Sequence, residues 1–258
     1  MTSAEKTARL LTILGQEPYE FGVTELGRMI ECTKSGTYKL LTALLQEGLV
    51  SQTNERKYSL GLTVYQLGQC YKDNDGFVRF ARPFVNKLRD LTEENSSFSI
   101  LHNGKPMRVW QVSGRQAVRL VGAIGEPRPF YVGSISKLLA AYMDPAEIRR
   151  RLESEELKPY TENTITDPSK LLLEFEIIRQ QGYAISDGEY EPETCGIAAP
   201  VRNSDGKVWG ALSISVPKTR MNTEAKEKFI KIVCDVADEM TAAGTCGNRT
   251  ARTIANPS

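Results

Sequence analysis

The sequence predicts an α+β protein built of two domains, and three observations lead there. Short amphipathic helices followed by a polar hairpin fill residues 5–60. A polar cluster, Lys72-Asp73-Asn74-Asp75-Gly76, breaks the chain after one further helix. Beyond it, helices flank stretches rich in β-branched residues and separated by Gly- and Asp-containing turns. With 258 residues and 40% hydrophobic content, the chain can bury a core and stands near the length at which single cores divide.

Each element has a local reason. Glu5 to Leu14 places Ala8, Leu11 and Leu14 on one helical face before Gly15. After the Pro18 turn, Thr24 is the expected N-cap of a second helix with Leu26, Met29 and Ile30 on its apolar side. Glu31-Cys32-Thr33 is a tight break. A third helix from Lys34 to Glu47 turns Leu41, Leu44 and Leu45 inward, leaves Lys34, Ser35, Thr37, Tyr38, Lys39 and Thr42 for the other side, and stops at Gly48. Leu49–Gln52 and Lys57–Leu60 form a hairpin around Thr53–Arg56, so residues 1–61 read as a helix-turn-helix with a wing. Leu62, Val64, Tyr65, Leu67 and Tyr71 mark a linker helix over 62–76.

In the second domain, 77–246, a helix carries Phe80, Phe84, Leu88 and Leu91 toward strands at Ser97–Leu101, Met107–Ser113 and Val118–Val121. Helices follow at Ser134–Met143 and at Pro145–Glu155, the latter capped by Asp144. Another starts at Asp167-Pro168 and ends at Gly182. Strands at Gly196–Arg202 and Lys207–Val216 flank the turn Asn203–Gly206, a last helix covers Thr223–Ala243, and 247–258 is expected to be a frayed tail.

Composition narrows the function. Thirty-three basic against 32 acidic residues leave a net charge of +1, so no polybasic arm or acidic tail organises the chain and any nucleic-acid site must be a local patch. Apolar runs such as Leu171–Leu173 fall far short of the ~18–20 residues that span a bilayer. Met1–Lys6 lacks the form of a signal peptide, and a cytoplasmic protein with no membrane partner is expected. Five scattered cysteines without a C-x-x-C pair suggest reduced thiols rather than disulfides or structural zinc. The single histidine, His102, precedes an Asn103-Gly104 hairpin turn, which excludes a two-histidine metal site and sets the imidazole at a loop tip. No Gly-rich loop resembles a P-loop or dinucleotide fingerprint, so no cofactor is expected.

Four groups of residues could carry chemistry. The start of the third helix, Thr33 to Lys39, supplies the lysines and hydroxyls with which a recognition helix meets bases and phosphates. Its surroundings from 33 to 57 hold Lys34, Lys39, Arg56 and Lys57 against only Glu47 and Glu55. Ser134-Ile135-Ser136-Lys137 fits the Ser-x-x-Lys pattern of an acyl-enzyme, and also a helix start whose free N–H groups hold an anion. Cys195 would be a nucleophile only with a cation to lower its pKa. Asp187, Glu189, Glu191 and Glu193 alternate as if along one face of a strand or loop, which reads as a solvated edge; no metal site is expected.

Read together, several segments resemble the isocitrate lyase regulator (IclR) family of bacterial transcription factors over nearly the whole chain. They are Thr33–Leu41, Gly48-Leu49-Val50, Tyr58–Gly61, Tyr160-Thr161 with Thr164–Asp167, and Gly182-Tyr183-Ala184 through Ile197–Val201 to Leu212–Ser215. The resemblance implies a winged helix that binds a palindromic DNA operator, a linker helix used in dimerisation, and a C-terminal GAF-like domain that senses a small molecule. Homodimers or homotetramers are implied as well. Its DNA-contacting positions fall on Lys34, Ser35, Thr37, Tyr38 and Lys39, with Arg56 and Lys57 on the wing. Gly36 stands where the family more often has Thr. Its effector pocket falls on Tyr131, Gly133, Ser134, Ser186, Thr194, Gly196, Ser213 and Ser215. Two departures are that Ser186 replaces a frequent aspartate, with Asp187 next to it, and that Gly196 replaces a frequent cysteine, with Cys195 one place earlier.

Small hydroxyls and helix N–H groups would make a neutral, donor-rich cavity for a carboxylate, with no buried countercharge. A small organic acid, aromatic or sugar-derived, is the expected effector, acting by shifting the separation of paired winged helices. The competing readings are a stand-alone acyl-transfer enzyme using Ser134 or Cys195, and a protein-contact scaffold.

Overall fold

The computed structural model describes residues 1–74, 76–116, 124–125 and 128–246. The predicted strand at Val118–Val121 and the tail 247–258 lie outside the described residues. The chain divides into two compact units between Asp75 and Gly76.

The first unit runs α1 (Ser3–Leu14), β1 (Phe21–Gly22), α2 (Val23–Met29), α3 (Lys34–Gln46), β2 (Val50–Gln52), β3 (Lys57–Leu60) and α4 (Leu62–Asn74). Thr2 opens α1 with a capping box: its Oγ1 accepts the Glu5 N–H while the Glu5 carboxylate accepts the Thr2 N–H, satisfying donors that a helix start leaves open. The inward stripe of α1 is Leu10, Ile13 and Leu14, whereas Ala8 is exposed. Gly22, not Thr24, is the N-cap of α2, because the Glu25 carboxylate reaches back to the Gly22 N–H and starts the helix two residues earlier. Leu26 and Ile30 join the core, and Met29 stays exposed. The three strands pair antiparallel in the order β1-β3-β2, with Tyr58 buried on the central one.

The second unit runs α5 (Gly76–Thr92), β4 (Asn95–His102), β5 (Lys105–Val112), α6 (Gly133–Ala141), α7 (Pro145–Ser154), α8 (Pro168–Gln181), β6 (Ala184–Asp187), β7 (Thr194–Arg202), β8 (Val208–Pro217) and α9 (Thr223–Cys246). Its five strands form an antiparallel sheet in the order β5-β4-β8-β7-β6. The edge strand β6 is an addition to the sequence reading. Asp144 and Asp167 cap α7 and α8 through their carboxylates, and Gly182 ends α8 in the left-handed conformation at φ +80°.

The sheet has a core on each face. On one, α5 contributes Val78, Ala81, Val85 and Leu88, and α9 contributes Val233, Val236, Ala237 and Met240. They pack on Ile197, Ala199, Val201, Leu212, Ile214 and Val216. The predicted stripe of α5 is thus displaced, with Leu91 exposed. On the other face, α6 and α8 cover Ala184, Ala198 and Ala211 with Leu138, Leu139, Leu171, Phe175 and Ile178. Successive side chains of a strand point to opposite faces. β7 and β8 therefore give large residues to the α5/α9 side and Gly196, Ala198, Ala211, Ser213 and Ser215 to the α6 side.

Candidate functional site

In the first unit, α2 and α3 meet through a short turn. A Cβ on Gly27 would lie 3.0 Å from the Cys32 carbonyl oxygen and 3.1 Å from the Thr37 hydroxyl, so the close approach of the two helices uses a residue without one. The Cys32 N–H closes the turn onto the Gly27 carbonyl at 2.8 Å. Thr33 is the N-cap of α3, its Oγ1 accepting the Gly36 N–H at 3.2 Å. Lys34, Ser35, Tyr38 and Lys39 then emerge exposed on the first turns, and Arg56 and Lys57 are exposed at the wing tip. Thr37 differs from the reading of it as an outward residue. It is fully buried and its hydroxyl donates to the Thr33 carbonyl at 3.0 Å, which satisfies the side chain inside and leaves nothing to present outward. The side-chain space of residue 36 is also taken: a Cβ on Gly36 would stand 2.8 Å from Cys32 Sγ.

In the second unit, a solvent-open cleft of about 90 Å³ lies between the start of α6 and strands β4, β5, β6, β7 and β8. Of the expected effector residues, Gly133, Ser134, Ser186, Thr194, Gly196 and Ser215 line it. The N-cap residue of α6, Val132, has no side chain that can cap the helix, so its start depends on groups from elsewhere in the chain. Ser134 and Ser186 are nine-tenths buried, and their hydroxyls converge over Gly196, where a Cβ would meet them at 2.6 and 2.9 Å. Glycine at 196, rather than cysteine, is what leaves room for both.

The remaining expected residues are placed elsewhere. Tyr131 faces a neighbouring hollow, where its hydroxyl donates to the Lys158 carbonyl and accepts the Lys158 N–H. Ser213 is buried behind the cleft, hydrogen-bonded to Ser97 Oγ at 2.9 Å. Asp187 and Cys195 form a cross-strand pair one step from Ser186 and Gly196, and strand alternation turns them to the opposite side of the sheet. There Lys218 Nζ bonds Asp187 at 2.9 Å and holds its carboxyl below the usual range. Burial, aided by the Asp187 hydrogen bond, pushes the Cys195 thiol up to about 11.

The cleft is also not the neutral cavity expected. Arg108, Arg128, Glu189 and Glu191 all line it. Arg108 donates to Gln111, and Arg128 stacks on the Tyr190 ring at 4.2 Å. Glu189, buried, accepts the Gly133 N–H at 3.0 Å on Oε2 and the Lys137 ammonium at 2.5 Å on Oε1. Glu174 holds the same ammonium at 2.7 Å. Burial keeps the Glu189 carboxyl above its ordinary range in spite of Lys137. The acidic row does not share a face, because Gly188 at φ +66° turns the chain between Asp187 and Glu189. Among the described residues no group of acidic, His or Cys side chains is placed to hold a metal, and no helix is long and apolar enough to cross a membrane.

Lys137 and Cys195 also bear on the acyl-transfer reading. A serine nucleophile in a Ser-x-x-Lys site needs the lysine as a proton acceptor. Here Lys137 Nζ is bound by two carboxylates, Glu174 and Glu189. Cys195 is a protonated, buried thiol at neutral pH.

Comparison with known proteins bears on both units. Residues 3–54 match the model of the IclR helix-turn-helix domain, and residues 70–242 match that of the bacterial transcriptional regulator IclR C-terminal domain. The chain is 32% identical over 243 residues to the HTH-type transcriptional regulator KdgR of Escherichia coli K12, covering 94% of this chain and 92% of KdgR. A crystal structure of an IclR-type regulator from Silicibacter sp. TM1040 superposes with a TM-score of 0.82 at 26% identity, covering 95% of this chain and 97% of that one. An IclR homologue from Microbacterium hydrocarbonoxydans, solved in complex with 4-hydroxybenzoate, shares the fold with a TM-score of 0.74 at 19% identity, over 93% and 98% of the two chains.

Proposed function

Because the chain belongs to the IclR family of bacterial transcriptional regulators, we propose that it reads operator DNA with the start of α3 and the wing, and that a small carboxylic acid in the α6 cleft controls this binding. The DNA half of the reading rests on one observation: Lys34, Ser35, Tyr38 and Lys39 stand exposed together on the first turns of a helix whose opposite face is buried. Lysine and hydroxyl groups there serve phosphates and base edges, and Arg56 and Lys57 add charge on the wing. A palindromic operator would be met by paired copies, dimers or dimers of dimers. The exposed Leu62, Tyr65 and Tyr71 of α4 supply apolar surface for such pairing. The ligand half is supported by the start of α6 at the cleft, by the Ser134 and Ser186 hydroxyls, and by the positive charge that Arg108 and Arg128 bring to the lining. The Microbacterium homologue was solved with 4-hydroxybenzoate, which is itself a small carboxylic acid.

Anisotropy of the DNA beside the chain's own gene, against scrambled DNA and across a salt series, tests the first half. Specific binding is expected, and Lys34→Ala/Lys39→Ala should flatten the log–log salt slope by about 0.9 per lost phosphate contact. Equal, weak binding to both DNAs, unchanged in the double variant, would refute the placement of the contacts. A panel of small acids in a thermal-shift assay tests the second half.

A further inference from the structure

Resting on the reading of the α6 cleft as the effector site, we propose that the Glu189 side chain is a built-in occupant of the acid seat in that cleft, and that a ligand carboxylate binds by displacing it. Helix α6 has no cap of its own. The cap comes from a distant part of the chain, where Glu189 Oε2 accepts the Gly133 N–H at 3.0 Å. Gly133 and Glu189 both line the cleft, so this hydrogen bond lies where an incoming acid arrives. The helix start therefore already holds a carboxylate, the partner that its N–H groups and dipole favour, and the chain itself supplies it.

The contact is arranged so that the side chain can leave while the backbone stays. Thr164 Oγ1 donates to the Glu189 carbonyl at 2.7 Å, Thr161 Oγ1 donates to the Gly188 carbonyl, and the Tyr190 ring lies 5.0 Å from that of Tyr160. The other carboxylate oxygen, Oε1, is bonded to Lys137, which Glu174 also binds. Releasing Gly133 thus costs Glu189 one of these two bonds and leaves the one to Lys137 in place. A ligand carboxylate takes over the Gly133 N–H oxygen for oxygen, with Ser134 beside it in the lining. The obstacle it meets is a like charge, because Glu174 and Glu189 share a single lysine. Glu189 therefore holds down the affinity of the cleft for acids, and an uncharged side chain of the same size in its place raises that affinity.

The test uses the full chain with acetate, benzoate and 4-hydroxybenzoate, by calorimetry. Glu189→Gln, its fold checked by circular dichroism, should bind the tightest of these acids about tenfold more tightly than the unaltered chain does. Binding to the variant alone would also support displacement. A folded variant with unchanged or weaker affinity overturns it. A crystal structure of the unaltered chain with the same acid decides the question even if the variant does not fold. A ligand carboxylate oxygen about 3 Å from the Gly133 nitrogen, with Glu189 turned away, is expected. Glu189 still bonded to Gly133 beside a bound acid overturns the displacement and leaves the effector site standing. If no acid binds either protein, the reading of the cleft falls together with the displacement.

Discussion

Replacing Gly196 with alanine separates the ligand cleft from the rest of the protein. The backbone at 196 is ordinary strand, so the methyl group meets its obstacle only in front, with Ser134 Oγ at 2.6 Å and Ser186 Oγ at 2.9 Å, where ordinary contact begins at 3.4 Å. Both hydroxyls must move out of the cleft. Overpacking of this kind costs about 1–3 kcal/mol, and the smaller conformational freedom of alanine in the unfolded chain returns about 0.4–1. The melting temperature should fall by a few degrees, at roughly 2–4 °C per kcal/mol for a domain of this size. Loss of two ligand hydrogen bonds at about 0.5–1.5 kcal/mol each predicts a roughly 5- to 150-fold weaker affinity for the best-binding acid of the panel. Titration calorimetry reads that loss, and anisotropy on operator DNA without ligand should be unchanged. A folded Gly196→Ala protein that binds the acid within about twofold of the unaltered chain would show that Ser134 and Ser186 do not hold it.

Three other perturbations probe the molecule. Gly36→Ala should destabilise the first unit by about 1 kcal/mol, because the clash with Cys32 Sγ outweighs alanine's helix propensity. In a Cys32→Ala background the same change should stabilise, and urea midpoints of the four proteins give the coupling. Thr37→Val removes a buried, self-satisfied hydroxyl, so stability should change by about 1 kcal/mol and operator affinity hardly at all. An affinity drop like that of Lys34→Ala would return Thr37 to the DNA face. Alkylation of Cys195 by iodoacetamide, followed by mass spectrometry, should rise about tenfold per pH unit without levelling below about pH 11, because the raised thiol pKa keeps the reactive thiolate scarce; a plateau near pH 8 would contradict the burial of that thiol.

Much of the fold is written locally. Asp144, Asp167 and Gly182 mark helix ends by chemistry confined to a few residues, and Asn103-Gly104 adopts the left-handed turn that its side chains favour. Helix α3 is legible for the same reason, with Thr33 as its N-cap. Where a pattern admits two phases, tertiary packing chose: Leu10 over Leu11 in α1, Val85 over Phe84 in α5. The edge strand β6 has only four residues, Ala-Ile-Ser-Asp, and takes its structure from β7 rather than from its own composition. In the cleft, the serines and Gly196 could be placed by resemblance, but its charges could not. Lys137 and Glu189 lie 52 residues apart, and Arg108 comes from β5 across the sheet from the helix it faces. The cross-strand register turned Asp187 and Cys195 away; an alternation count starting from Ser186 would have found this once β6 was known to be a strand.

The two-sided character of β7 and β8 has a consequence for how this protein can change. Along β7 and β8, every second residue packs against α5 and α9, and between them Gly196 and Ser215 line the α6 cleft. Ile197, Leu212 and Ile214 are held by the α5/α9 core, while Gly196, Ser213 and Ser215 sit toward α6. Substitutions on the first set act on the α5/α9 core, whereas those on the second act on the α6 side of the sheet. A lineage could thus reshape the cleft by drifting at a few positions on the α6 side, while the opposite face kept the α5/α9 core in working order.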